Sequence, residues 1–338
     1  KMYRTIVLAL LALTASARLQ GLEKKVTIND LALFNKFATF AETFDKTYAS
    51  VEQAHERFQI YKANYLQLQV YQQYEQGTAE FGETQFMDMT PEEFRTQVLT
   101  NINIDEVAPV KKLTAEDLAH LKTDLPELHD WREQGHVTPV KNQGSCGSCW
   151  AFSVTGNIEG VWKKKTGELV SLSEQELVDC DVKDQGCNGG YMTWTYNEII
   201  RIGGLVKEDD YKYTGRGGAC QVDKYEFAVY INDSVQLPED EKKIQEYLFQ
   251  SGPISVGINA NPLQFYSGGI HHPPKFFCNP KGVNHAVLLV GFGEEGGKPY
   301  WIVKNSWGTG WGEKGYFRLY RGENVCGVNT LATSALIY

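Results

Sequence analysis

Apolar positions across residues 28–76 recur at a helical period. Leu31, Leu33, Phe34, Phe37, Phe40 and Phe44 form one such series. A second, Arg57, Tyr61, Asn64, Leu68 and Gln72, steps by four, three, four and four, which lays a single stripe along a long helix. Residues 81–87 are short and alternating enough to predict a strand. Thr90-Pro91-Glu92-Glu93 predicts a helix start, with Thr as N-cap, Pro at the first helical position and Glu three residues after the cap. Residues 100–124 are mixed and charged, without a firm apolar period, and predict an exposed linker open to cleavage.

From Leu125 the chain turns glycine-, tryptophan- and cysteine-rich. Trp150, Ala151, Val154, Ile158, Val161 and Trp162 trace the face of a helix that starts at or just before Cys149 and stops at Gly167. Ser171-Leu172-Ser173-Glu174 predicts a capping-box start for a helix ending near Cys180. After Pro253 the pattern predicts strands over residues 254–258, 285–291, 300–304 and 316–320. A helical half followed by a β-rich half places this part in the α+β class. The first 17 residues differ from both: Lys1 and Arg4 supply charge, residues 6–13 are unbroken apolar, and Ala15-Ser16-Ala17 is a small-residue cleavage pattern. They predict a signal peptide and entry into the secretory pathway, since a membrane span needs about 20 apolar residues.

Composition narrows the function classes. The net charge is −9 and no basic block stands out beyond Lys163-Lys164-Lys165, which reads as a solvated helix face, so a nucleic-acid partner is disfavoured. All seven cysteines lie between Cys146 and Cys326. In an oxidising compartment an odd count leaves one thiol unpaired, a candidate reactive group. The sequon Asn232-Asp233-Ser234 is a glycan acceptor if exposed.

A catalytic thiol needs stabilisation as thiolate, a proton acceptor and donors for the oxyanion it creates. Cys149 falls at a predicted helix N-terminus, where free backbone N–H groups favour negative charge. Its surroundings, Gln143-Gly144-Ser145-Cys146-Gly147-Ser148-Cys149-Trp150, resemble the papain-like cysteine proteases, and the resemblance runs from about residue 30 to the end. His285, in Val283-Asn284-His285-Ala286-Val287, follows 136 positions later, and Asn305 lies in Lys304-Asn305-Ser306-Trp307-Gly308. The resemblance implies a papain-like two-lobed fold: propeptide over 18–124, peptidase domain over 125–338, with a helical lobe to about 235 and a β-rich lobe from 236. It implies a Cys149–His285 thiolate–imidazolium pair, Asn305 fixing the ring tautomer, Trp307 shielding that contact, and Gln143 donating to the oxyanion. It implies the disulfides Cys146–Cys187, Cys180–Cys220 and Cys278–Cys326, leaving Cys149 free. Gly189 and Gly190 match a glycine strip that pairs with extended substrate. Tyr191, Met192, Gly257, Val283, Ala286 and Leu331 match a pocket for the second residue before the scissile bond, so bulky apolar side chains are expected there. No insertion resembling the cathepsin B occluding loop follows Cys220, which favours endopeptidase activity.

The N-terminal stripe resembles the inhibitory propeptide of the cathepsin L and F group, with Gln72, Gly82-Glu83-Thr84-Gln85-Phe86-Met87-Asp88 and Cys326-Gly327-Val328-Asn329-Thr330 leaning toward the F type. Gln53 stands where that pattern has Glu, which removes an expected ion-pair partner of Arg57. Asp88 is a candidate acid trigger for release. The implied partners are protein and peptide substrates, the chain's own propeptide and cystatin-type inhibitors; the implied locations are a lysosome or an extracellular or digestive lumen, and neither cofactor nor metal is implied. A redox or zinc role for Cys146-Gly147-Ser148-Cys149 would need a βαβ context or a second Cys/His pair, neither of which the sequence offers. His271 and His272, before Pro273-Pro274, read as a surface loop. Two further readings stand beside the enzyme: a catalytically silent binding homologue, and inhibition of other proteases by the released propeptide.

Overall fold

The computed structural model describes residues 26–100, 102 and 110–338, together with Leu19, Gly21 and Leu22. The signal-peptide reading lies outside these residues, as do positions 101 and 103–109 of the linker. Among the described residues no helix is long and apolar enough to cross a membrane.

The N-terminal segment is built on two helices, α1 (Leu31–Thr43) and α2 (Val51–Tyr74). Ser50 caps α2 by accepting from the Gln53 N–H. The apolar stripe of α1 packs on that of α2, with Phe37 5.4 Å from both Phe58 and Tyr61 between ring centroids. Arg57 is ion-paired despite Gln53, because it forks onto Glu93 at 2.7 and 2.8 Å and reaches the Asp88 carbonyl. Glu93 belongs to α3 (Pro91–Gln97), whose Thr90 cap and Glu93 complete a capping box. The strand expected over 81–87 reduces to β1 (Glu80–Phe81). Beyond it Thr84 donates to the Gln264 carbonyl, and Gln264 donates to the carbonyls of Phe86 and Met89, so side chains rather than a ladder satisfy this backbone.

The linker expectation needs correction as well. Residues 114–124 are mostly exposed, but Thr100, Ile102 and Leu118 are buried, and β2 (Lys111–Lys112) joins the main sheet. The short apolar side chains in this charged stretch are anchors on the rest of the molecule.

The remaining chain has four longer helices: α4 (Cys149–Thr166), α5 (Glu174–Cys180), α6 (Met192–Ile202) and α7 (Glu241–Ser251). Gly167 ends α4 at φ +83°, a conformation that favours glycine. Ser173, not Ser171, caps α5, and Glu176 turns to the Val206 N–H instead of closing a capping box. The strands are β3 (His129–Asp130), β4 (Asp233–Gln236), β5 (Ile254–Ile258), β6 (Tyr266–Gly268), β7 (Ile270–His271), β8 (His285–Glu295), β9 (Lys298–Lys304), β10 (Tyr316–Tyr320) and β11 (Ala332–Leu336). The main sheet runs β2-β4-β11-β5-β8-β9-β10-β7, with β3 also on β8, and β1 pairs antiparallel with β6. The halves interlock: β3 and Trp131 join the β-rich core, while Ala335 of β11 packs in the cluster around α4 and α6. Helix α4 lies against β8, where Gly156 makes room for Leu288 at 2.8 Å from a notional Cβ. That packing brings the start of α4 to the start of β8.

His271 is not on a surface loop. It is fully buried in β7, and its Nδ1 lies 2.9 Å from the Glu75 carboxylate at the end of α2's C-cap. The Pro273-Pro274 pair that suggested a loop begins two residues later.

Candidate active site

Cys149 is the first residue of α4 and the free cysteine; Cys146–Cys187, Cys180–Cys220 and Cys278–Cys326 are bonded. The Ala286 N–H donates to Cys149 Sγ at 3.4 Å, which fixes the sulfur beside the first residues of β8. His285 is the residue before, and its Nε2 lies 2.8 Å from Asn305 Oδ1. Asn305 Oδ1 also accepts from the Ser306 N–H at 2.8 Å, so the amide oxygen faces the ring and Nε2 carries the proton. Nδ1 is then the basic nitrogen, and it is buried without a partner. Trp307 stacks on His285 at 4.7 Å and is 1% exposed, which keeps water off the His285–Asn305 bond.

Gln143 is fully buried. Ser306 donates to its Oε1 at 2.7 Å, and its Nε2 donates to the carbonyls of Cys146 at 2.9 Å and Val98 at 2.8 Å. Behind it Lys141 bridges Glu174 at 2.7 Å and Glu159 at 3.4 Å, which pins this stretch of chain to α4 and α5.

Val98 marks the path of the N-terminal segment across the cleft. The Thr100 N–H donates to the Asn284 carbonyl at 2.8 Å, and Thr100 Oγ1 lies 2.1 Å from where a Cβ on Gly189 would sit. Gly189 has φ +123°, and a Cβ on neighbouring Gly190 would meet Trp150 at 2.6 Å. Ile102 is buried in the apolar cluster of Cys149, Met192, Val283, Ala286 and Leu331, with Tyr191 packed beside it. Gly257 floors this cluster, since a Cβ there would meet Val283 at 2.7 Å. Above, Phe86 and Phe94 stand edge-on to Trp307 at 5.3 and 5.5 Å. The covering residues Val98, Thr100 and Ile102 were not read from the sequence. The Ile102-Asn103-Ile104 alternation at the head of a mixed, charged stretch was their one signal.

In this covered form burial works against both charges of the expected pair. Burial pushes the Cys149 thiol up to about 12, against the N–H groups of Ala286, Trp150 and Cys149 that favour the thiolate. Burial likewise lowers His285 to about 4, opposed by its bond to Asn305. Charge is thus disfavoured on both groups while Val98, Thr100 and Ile102 lie over the cleft. Asn232 sits away from the cleft on the surface, its Oδ1 accepting from the Tyr338 N–H at 2.8 Å.

Residues 125–336 match the papain family cysteine proteases, and residues 37–94 match the cathepsin propeptide inhibitor domain. The chain is 49% identical to cathepsin F of Mus musculus over 305 residues, covering 89% of this chain and 64% of that protein. It is 45% identical to cathepsin F of Drosophila melanogaster, with 89% and 50% covered. The chain thus spans about half to two thirds of these relatives. Cysteine proteinase 15A of Pisum sativum is 44% identical, covering 88% of this chain and 85% of that one. Among solved structures, digestive procathepsin L 3 of the Tenebrio molitor larval midgut superposes with a TM-score of 0.79 at 35% identity, over 90% of this chain and 99% of that chain.

Proposed function

Because the chain belongs to the papain family of cysteine proteases, we propose that it is the zymogen of a cysteine endopeptidase whose nucleophile is Cys149. The observation that carries this is the Ala286 N–H on Cys149 Sγ, next to a His285 whose only occupied ring nitrogen is the one facing Asn305. Once uncovered, the thiol gives its proton to His285 Nδ1. The thiolate attacks a peptide carbonyl, and the oxyanion is held by Gln143 Nε2 and the Cys149 N–H. His285 returns the proton to the leaving amine, and water then hydrolyses the thioester.

The propeptide is residues 18–124 and the peptidase residues 125–338. Gly189 and Gly190 offer backbone to an extended substrate. Tyr191, Met192, Gly257, Val283, Ala286 and Leu331 take an apolar side chain two residues before the scissile bond, as Ile102 does in the zymogen. Ile102 lies C-terminal to Val98, whose carbonyl meets Gln143. In a substrate the pocket residue is N-terminal to that carbonyl. The propeptide therefore crosses in the reverse sense, which supports its reading as inhibitor and not substrate. The enzyme acts in the secretory pathway, in a lysosome or an extracellular lumen, and Asn232 carries a glycan.

Incubating the chain with reductant at acidic pH and assaying a fluorogenic peptide with Leu or Phe at the second position tests this. Hydrolysis that grows as the chain shortens by roughly a third, and is lost in C149A, is expected. A processed, folded sample without activity on several such peptides would favour the silent binding homologue.

A further inference from the structure

The serine that precedes the nucleophile does not cap the nucleophile's helix. Ser148 is the N-cap of α4, where a serine hydroxyl ordinarily accepts from an N–H two or three residues on. Here it takes none, and the Ala151 N–H goes to the Ser148 carbonyl instead. The Ser148 hydroxyl lies 2.7 Å from Tyr213 Oη, and Tyr213 Oη lies 2.9 Å from the backbone carbonyl of Gln143.

A carbonyl can only accept, so the single Tyr213 proton goes to Gln143. Ser148 is then the donor to Tyr213, in preference to its 3.5 Å contact with the Cys146 carbonyl. Phe152 of α4 stands edge-on to the Tyr213 ring at 4.9 Å, and the Tyr213 N–H is tied to Glu208 at 3.0 Å. Burial pushes the phenol up to about 12, opposed by the Ser148 donor, so it stays protonated at working pH.

We propose that Tyr213 is a positioning residue that ties the Gln143 backbone to Ser148, the residue before the nucleophile, and so holds the oxyanion donor in register with Cys149. The proposal rests on the peptidase reading above. Ser148 has φ −100° and ψ 16°, not the extended backbone from which a side chain caps a helix, so its hydroxyl is free to serve the bridge. Y213F removes both bonds of the bridge and S148A one of them.

The test compares the activated full chain with Y213F, S148A and the double variant, reading kcat, KM, Tm and the pH dependence of iodoacetamide alkylation. Y213F is expected to lose ~10-fold in kcat with little change in KM or in the alkylation midpoint, less than removal of an oxyanion donor outright. S148A/Y213F is expected to be no slower than Y213F, because both changes break one bridge, whereas independent losses would add. A double variant slower than Y213F by the full S148A loss, or a Y213F loss confined to KM or Tm, would overturn the proposal. An unsubstituted chain that hydrolyses nothing would instead remove the peptidase reading.

Discussion

Gln143 donates its side-chain amide to the Val98 carbonyl at 2.8 Å, so the donor assigned to the oxyanion already holds a carbonyl of the chain's own N-terminal segment. The same amide is oriented from behind by the Ser306 hydroxyl. Gln143→Ala is expected to lower kcat of the activated enzyme by about 10²–10³ with little change in KM, the loss typical of one oxyanion donor. Steady-state kinetics against a C149A blank measure it. A loss below threefold would leave Gln143 without that role.

Ile102 is the apolar plug of the pocket formed with Met192, Val283, Ala286 and Leu331. Ile102→Ala should weaken docking by about 2–3 kcal/mol, the ordinary cost of truncating a buried Ile. The half-time of processing at a fixed, mildly acidic pH should shorten by at least tenfold. An unchanged half-time would show that Ile102 does not hold the segment down.

Much of this was legible locally. The Thr90 cap, the helix from Cys149 to its Gly167 stop and the strand over 254–258 all follow from period and capping, because each depends on residues close in sequence. What escaped depends on distant partners. Nothing near His271 announces Glu75, nothing in residues 98–102 announces the cleft, and Gln264 overrides the alternation of residues 81–87 from across the molecule. Tyr213 carries no local signal, since its two partners lie 65 and 70 residues earlier.

Acid should open the zymogen partly through His285. Burial holds its imidazole at about 4 while covered, below its ordinary 6.5. The uncovered enzyme takes up a proton that the covered one refuses. Covering is thus fully supported above about pH 6.5 and loses support as pH falls toward 4, at up to about 1.4 kcal/mol per pH unit. Hydrogen exchange of the Thr100 amide in C149A, corrected for intrinsic rates, should rise through that window. C149A/H285Q should flatten the rise, and an equal rise in both would rule His285 out as the sensor.

Glu75 adds a second, lower threshold. Its buried carboxylate accepts from His271 Nδ1 at 2.9 Å, the His272 N–H at 2.6 Å and the Gly77 N–H at 2.8 Å. Burial raises its pKa, but these donors, His271 foremost, outweigh burial and hold it below 4.5. A depressed carboxylate supports docking above its ordinary value and loses that support as pH falls through the docked one. E75Q should therefore process faster than the unsubstituted chain at about pH 5–6, with the difference narrowing as the pH falls below the carboxylate's ordinary 4.5. Equal rates across the range would mean the pair contributes nothing to latency.

The central claim is that Cys149 is the nucleophile and is silenced by the residues lying over it. Iodoacetamide labelling at pH 7, followed by intact mass and residual activity, tests it most directly. One label should enter slowly in the intact chain, where the thiol is buried and burial disfavours its thiolate, and much faster after processing, with activity lost in step and no label in C149A. Equal labelling rates before and after processing, or activity that survives complete labelling of Cys149, would contradict it.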